Sequence, residues 1–265
     1  MILRFEFAQW AKFRSNFRSI PNSMLSKNQL KVIKSLRTKK GRDTHSAFLV
    51  EGRKPVEELL QSDYTVKHLV LSETMAESYA NKDAAIISDR DMASISAMTT
   101  PPGILAVANM PDWMSNKPPT PESGAHFVLD GIRDPGNLGT IIRTADWFGF
   151  EAIYCSQDCV ECFNPKVVQA SMGSVFRLKV FYANLNELLE SSPLNAFGMY
   201  LEGKSIYKTD LVDGLYVIGS ESHGIREEIG SAIKEKITIP GRTNAESLNA
   251  GISAAILMSE IFKRR

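Results

Sequence analysis

The chain has 265 residues, 43% of them hydrophobic and 23% charged, with a formal net charge of +1. These are ordinary values for a soluble globular protein large enough for two modest domains. Lys, Arg, Asp or Glu interrupts every hydrophobic stretch, so no window could cross a bilayer. The N-terminus lacks the continuous apolar core and small-residue cleavage site of a secretory signal, and a cytoplasmic setting is expected.

In chain order, residues 1–24 are basic and aromatic and read as a disordered tail ahead of a folded chain that opens near Met24, with an organellar transit peptide as the alternative. From Met1 to Lys54, thirteen basic residues stand against three acidic ones. That asymmetry, hidden in the small net charge, is the footprint of a phosphate-binding face or of a solvated helix surface. Residues 25–108 alternate helix-like and β-rich runs (LSKNQLKVIKSL, AFLVEG, RKPVEELLQ, VKHLVLS, AAIIS, GILAVA), which predicts a small α/β domain. Residues 109–125, rich in Pro, Ser and Asn, read as an interdomain linker.

Residues 126–265 open on the strand HFVLD and a helix whose apolar positions Leu138, Ile141, Ile142, Ala145 and Phe148 follow helical spacing. Further strands are expected at EAIYC, VFRLKVF, AFGMYL, LYVIGS and KITIP. A mostly parallel sheet with helices on both faces is the packing solution for this alternation.

Cys155, Cys159 and Cys162 are spaced C-x-x-x-C-x-x-C, a spacing that can hold a four-iron cluster by three thiolates. The motif lies past mid-chain, where such clusters are not usually built, and buried small hydrophobes in a reducing compartment account for it as well. No fourth thiolate or well-spaced His completes a zinc site. No metal is expected.

Three segments place Gly and polar residues at the C-terminal ends of strands, where open α/β sheets bind ligands. In LDGIRDPGNLGTIIRTADWFG, Asn137 is placed to cap the helix and Arg143 lies off its apolar stripe, where an ion pair with Asp146 would account for it. In YVIGSESHGI, Glu221 and His223 are the titratable members, and exposed amides ahead of a helix could receive a polar ligand. In ITIPGRTNAESLNAGISAAI, Thr243 and Glu246 fit a capping box, which leaves Ser247 and Asn249 as polar groups in need of partners.

Taken together and in this order, these segments resemble the three signature motifs of the SpoU (TrmH-like) RNA 2′-O-methyltransferases. The first matches through Asn137, Gly139 and Arg143, the second through Gly219, Glu221 and Gly224, and the third through Pro240, Ser247, Leu248 and Asn249. The match covers residues 126–262. Residues 25–108, with KKGR and FLVEGRKPVEELL, are similar to the L30e-like substrate-binding domain that precedes the catalytic domain in many members. The resemblance implies a trefoil knot late in the chain, S-adenosylmethionine as cofactor, a homodimer, and methylation of a ribose 2′-hydroxyl in RNA, with large-subunit ribosomal RNA ahead of transfer RNA.

By position it implies that Gly219, Ile239 and Leu248 line the cofactor, with Ser220, Pro240 and Asn249 adjacent. Arg143 would be the base or electrostatic activator, held by Asn137, and Glu221, Ser247 and Asn249 would complete the pocket. Lys39, Lys40, Arg42, Arg53 and Lys54 are the candidate RNA contacts. A catalytically silent RNA binder on the same fold and a radical enzyme built on the cysteines are the readings from other classes.

Overall fold

The computed structural model describes residues 25–79, 84–211, 213–242 and 247–264. The expectations for residues 1–24 and for the Thr243/Glu246 capping box lie outside the described residues. The chain forms two compact units. Of the described residues, one comprises those up to Asp112 together with Phe163–Phe176, and the other Trp113–Cys162 together with those from Arg177 on.

In the first unit, α1 (Lys27–Ser35) starts where Ser26 and Gln29 cap each other's backbone, and α2 (Lys39–His45) starts where Thr38 accepts from the Gly41 amide. Strands β1 (Ala47–Glu51), β2 (Val66–Ser72), β3 (Ala85–Ile87) and β4 (Ile104–Asn109) form a sheet in the order β1-β4-β2-β3. It is antiparallel except for the parallel β2–β3 pair. Helices α3 (Arg53–Gln61), α4 (Glu73–Ala76) and α5 (Asp89–Ile95) connect the strands.

Side chains alternate across β1, so Ala47 and Leu49 join Ile33, Leu36, Met92 and Ile95 in one buried layer while Phe48 faces the other way. There Phe48 stacks on Phe163 with centroids 4.2 Å apart, and Tyr64 meets Phe163 and Phe176 edge-on. These aromatic contacts explain why Phe163–Phe176, which includes α7 (Pro165–Ser171), belongs to this unit although it lies far along the chain.

In the second unit, β5 (Ala125–Asp130), β6 (Ala152–Ser156), β7 (Lys179–Ala183), β8 (Ala196–Ser205), β9 (Gly214–Gly219) and β10 (Glu235–Thr238) form a sheet ordered β10-β8-β9-β5-β6-β7. Every pair in it is parallel. Helices α8 (Leu185–Ser191) and α9 (Glu227–Gly230) bury Leu185, Leu188, Leu189 and Ile229 on one face, against Val128, Tyr154, Phe181 and Val217. Helix α6 (Pro135–Trp147) covers the other face with α10 (Ala250–Lys263), and the two pack on each other. The expected strand VFRLKVF begins later than its apolar run, because Ser174–Phe176 turn into a 3-10 helix that buries Val175 and Phe176.

Among the described residues, no helix is long and apolar enough to cross a membrane.

Glu51, at the end of β1, is 7% exposed and accepts from Ser96 Oγ at 2.5 Å and from the Ala97 amide at 2.8 Å. Burial raises its pKa above the ordinary carboxylate value, opposed by those two hydrogen bonds. A carboxyl whose pKa is raised by folding contributes stability that is present below the unfolded pKa and declines as pH rises through the folded one. Glu51→Gln, which keeps an acceptor, should therefore flatten the pH dependence of thermal unfolding between pH 4 and 8. Glu51→Ala should cost about 1–3 kcal/mol by leaving the Ala97 amide unsatisfied.

Candidate active site

Strand order places the C-terminal ends of β5 and β9 side by side, with Asp130 opposite Gly219. The chain leaves β5 toward β6 on one side and later returns to β9 on the other, so this is the switch point of the sheet, where ligand crevices form. A cleft of about 470 Å³ opens there, lined among others by Asp130, Arg133, Asn137, Asp158, Glu221 and Arg226.

The loop after β9 is closed on itself by the pair Ser220 N–H to Gly224 O (3.1 Å) and Gly224 N–H to Ser220 O (2.8 Å). A Cβ on Gly219 would sit 2.0 Å from the Gly224 carbonyl carbon, and Gly224 has φ +67°. The first position therefore requires glycine and the second favours it.

That loop presents Glu221, whose Oε1 accepts from Asn137 Nδ2 (2.9 Å), Asn249 Nδ2 (2.7 Å) and the Ala250 amide (3.2 Å). Asn249 Nδ2 also donates to Asn137 Oδ1 at 2.8 Å, and its own Oδ1 caps α10 through the Ile252 amide. The three strand-end segments thus meet in one carboxylate–amide cluster. Asn137 is not the helix cap expected of it. Asp134 caps α6, accepting from the Asn137 amide at 2.8 Å, with Pro135 at the first position, and this frees the Asn137 side chain for the cluster.

A second set of charges lies beneath. Asp130, whose side chain is fully buried, accepts from the Arg226 amide (2.8 Å) and from its Nε (2.7 Å), and pairs with its Nη2 (2.5 Å). Asp158 pairs with Arg133 at 2.9 Å, and its pKa is held below the usual carboxylate value by the Ser156 hydroxyl first and Arg133 second. Asp130 and Arg226 were not among the candidates. The signal available in the sequence was an acidic residue ending an apolar strand.

Arg143 is exposed on α6, does not line the cleft and pairs with no described residue. Its expected partner Asp146 is instead held by Arg177, at 2.8 Å. Gly219, Ile239 and Pro240 lie at or just past the ends of β9 and β10, with Ile239 half-buried, and Ser220 borders the cleft. Ser247 and Leu248 are exposed in the irregular run before α10 and do not line it.

Among the expected RNA contacts, Lys39, Lys40 and Lys54 are exposed, and Arg53 is exposed but paired with Glu57 at 2.9 Å. Arg42 departs from the expectation. It is 1% exposed and donates to the Leu36 carbonyl at 3.1 Å, so it braces the turn between α1 and α2 and has no access to a phosphate.

Comparison with known proteins identifies the family. The model of the SpoU rRNA Methylase family matches residues 124–259. The chain belongs to that family. An MRM3-like substrate binding domain matches residues 27–106. The 23S rRNA (guanosine(2553)-2′-O)-methyltransferase of Bacillus subtilis is 32% identical over 249 residues, which cover 88% of this chain and 96% of its own. A structure from Porphyromonas gingivalis, assigned to the TrmH family of RNA methyltransferases, superposes with a TM-score of 0.79 at 36% identity, covering 92% of this chain and all of the other. The AdoMet-bound rRNA methyltransferase of Sinorhizobium meliloti gives a TM-score of 0.75 at 26% identity, over 91% and 97% of the two chains.

Removing the buried carboxylate of Asp130 leaves the Arg226 amide and guanidinium without their acceptor. Asp130→Ala should lower stability by about 1–3 kcal/mol in urea unfolding. An unchanged midpoint would show that the pair contributes no net stability.

Proposed function

We infer that this chain is an S-adenosylmethionine-dependent methyltransferase that modifies a ribose 2′-hydroxyl in RNA, with ribosomal RNA as its substrate. The observation that carries the reading is the cluster of Glu221, Asn137 and Asn249, which unites the three family segments at the strand-end cleft. The ribosomal target is supported by the Bacillus relative, which modifies 23S rRNA.

The cofactor supplies a methyl group on an electrophilic sulfonium. Gly219, Ser220, Ile239, Pro240, Leu248 and Asn249 would hold it. The residues fit such a group: Leu248 exposes 47% of its surface, Ile239 is half-buried, and residues 239–242 and 247–248 lie outside helix and strand. Apolar side chains beside backbone donors and acceptors suit a neutral purine.

The ribose hydroxyl is a weak nucleophile at neutral pH and needs activation. We assign this to Arg143. With a pKa above about 12, a guanidinium is a poor base, so Arg143 acts electrostatically, favouring the alkoxide and holding an adjacent phosphate. Asn137, Glu221, Ser247 and Asn249 complete the pocket, the Asn–Glu–Asn cluster holding the loops in register.

Arg143 shares a helix face with Trp147, four residues on and 84% exposed, while Phe262 and Ile252 on α10 are 54% and 49% exposed. An apolar surface of this kind marks an interface. We propose a homodimer joined across α6 and α10, in which Arg143 of one subunit serves the cofactor site of its partner. We also propose the trefoil knot. In support, the chain runs from β10 at the sheet edge back to α10, which contacts β9 and α6, and so passes the 219–226 loop.

The reading is tested by transfer of label from S-adenosylmethionine to unmodified ribosomal and transfer RNA, with nucleoside analysis. Label on a 2′-O-methyl nucleoside of ribosomal RNA is expected, and label on a base or on neither RNA would overturn it. Arg143→Ala should lower kcat about 100-fold or more with cofactor affinity intact by calorimetry. Co-expressed hybrids of Arg143→Ala and Asn249→Ala subunits should regain activity, since one of their two sites is then whole. No regain would place Arg143 in its own subunit's site.

Lys39 and Lys40 are exposed at the start of α2. Replacing both with Ala should weaken RNA binding and lower the slope of log affinity against log salt by about 1–2. An unchanged slope would place the phosphates elsewhere.

A further inference from the structure

The reaction gives no role to the C-x-x-x-C-x-x-C segment, and among the described residues no group of three or more His, Cys, Asp or Glu is placed to hold a metal ion. The three thiols also differ in setting. Cys155 is buried within β6, where burial pushes its pKa well up, and the Cys162 amide donates to Tyr182 Oη at 2.7 Å. Cys159 lies against the first loop of the site.

Gly131 and Ile132, the first residues after β5, turn two successive amides toward this segment. The Gly131 N–H donates to Ser156 Oγ at 2.9 Å and the Ile132 N–H to Cys159 Sγ at 3.2 Å. The Val160 N–H returns to the Ile132 carbonyl at 2.9 Å. Ser156 Oγ–H donates to Asp158 Oδ1 at 2.7 Å, and Asp158 reaches Arg133 at 2.9 Å and Arg226 at 3.4 Å. Gly131 has φ +70°, a conformation that glycine adopts without strain.

We propose that Ser156, Asp158 and Cys159 are positioning residues for methyl transfer, forming a template that fixes the Gly131–Asp134 loop and, through it, the start of α6 that carries Asn137. The inference rests on the methyltransferase reading for its kinetic part only. Ser156 and Cys159 satisfy two amides at a strand end where Ile132 is 2% exposed and water has little access. The Cys159 thiol is held down to about 7, by hydrogen bonding to Cys155 first and then to Ser156 and the Ile132 and Gly131 amides, against the opposing effect of burial. Asp158 adds a charge lock by bridging Arg133 of this loop to Arg226, which Asp130 also holds.

The test uses the full chain with Ser156→Ala, Asp158→Asn, Cys159→Ala and Cys159→Ser. Hydrogen exchange of the amides at 131 and 132 is read together with kcat, KM for RNA, cofactor affinity and thermal unfolding. Asp158 is partly exposed, so Asp158→Asn keeps the core intact if a cysteine variant fails to fold. Exchange at 131 and 132 should rise roughly 3- to 10-fold in Ser156→Ala and Cys159→Ala. kcat/KM for RNA should fall by a similar factor in those two variants and in Asp158→Asn, with cofactor affinity unchanged. Cys159→Ser, which keeps an acceptor, should recover part of the loss.

Unchanged exchange at 131 and 132 would overturn the template. So would kinetic losses that follow thermal stability alone. Absence of methyl transfer in the unaltered chain would instead reject the functional reading, while the exchange data would still decide the template.

Discussion

One carboxylate oxygen, Glu221 Oε1, accepts three N–H groups from two segments that lie 84 and 28 residues away in sequence. A carboxylate only accepts, whereas an amide side chain does both, and the cluster uses that difference. Asn137 and Asn249 each give an N–H to Glu221, and they bond each other through the Asn137 carbonyl. Asn249 keeps its own carbonyl for the start of α10. Helix start, loop conformation and cleft wall are therefore set together, and a change at any of the three residues is felt by the others.

That cluster can form only because the all-parallel sheet brings the ends of β5 and β9 into register. Glycine at 219 and 224 lets the β9 loop fold tightly enough to aim Glu221 across the gap. Beneath it, buried Asp130 secures Arg226 and with it the far end of the same loop. The cleft holds Asp130, Asp134, Asp158 and Glu221 against Arg133 and Arg226, so it is not a phosphate sink. The exposed lysines of α1 and α2 belong to the other unit.

Residue spacing alone anticipated the broad plan: an α/β unit, then a mostly parallel sheet with helices on both faces. It misjudged residues whose roles depend on distant partners. Asn137 has the residue type of a cap, yet Asp134 takes that position, which local sequence could not rank. The Arg143–Asp146 pair has ideal helical spacing, but Arg177, 31 residues away, wins the carboxylate. Arg42 stands in a basic run and looks like a phosphate ligand, but the turn after α1 buries it.

What the sequence by itself determined is what short-range physics writes into it: apolar periodicity, capping residues, turn glycines, and three motifs specific enough to imply a family and a reaction. The tertiary structure alone decided which polar groups meet. Hydrogen-bond partners such as Asp130 and Arg226, or Gly131 and Ser156, are 96 and 25 residues apart. A buried donor accepts whichever acceptor the fold delivers, and chain order carries no record of that choice until the strands are side by side.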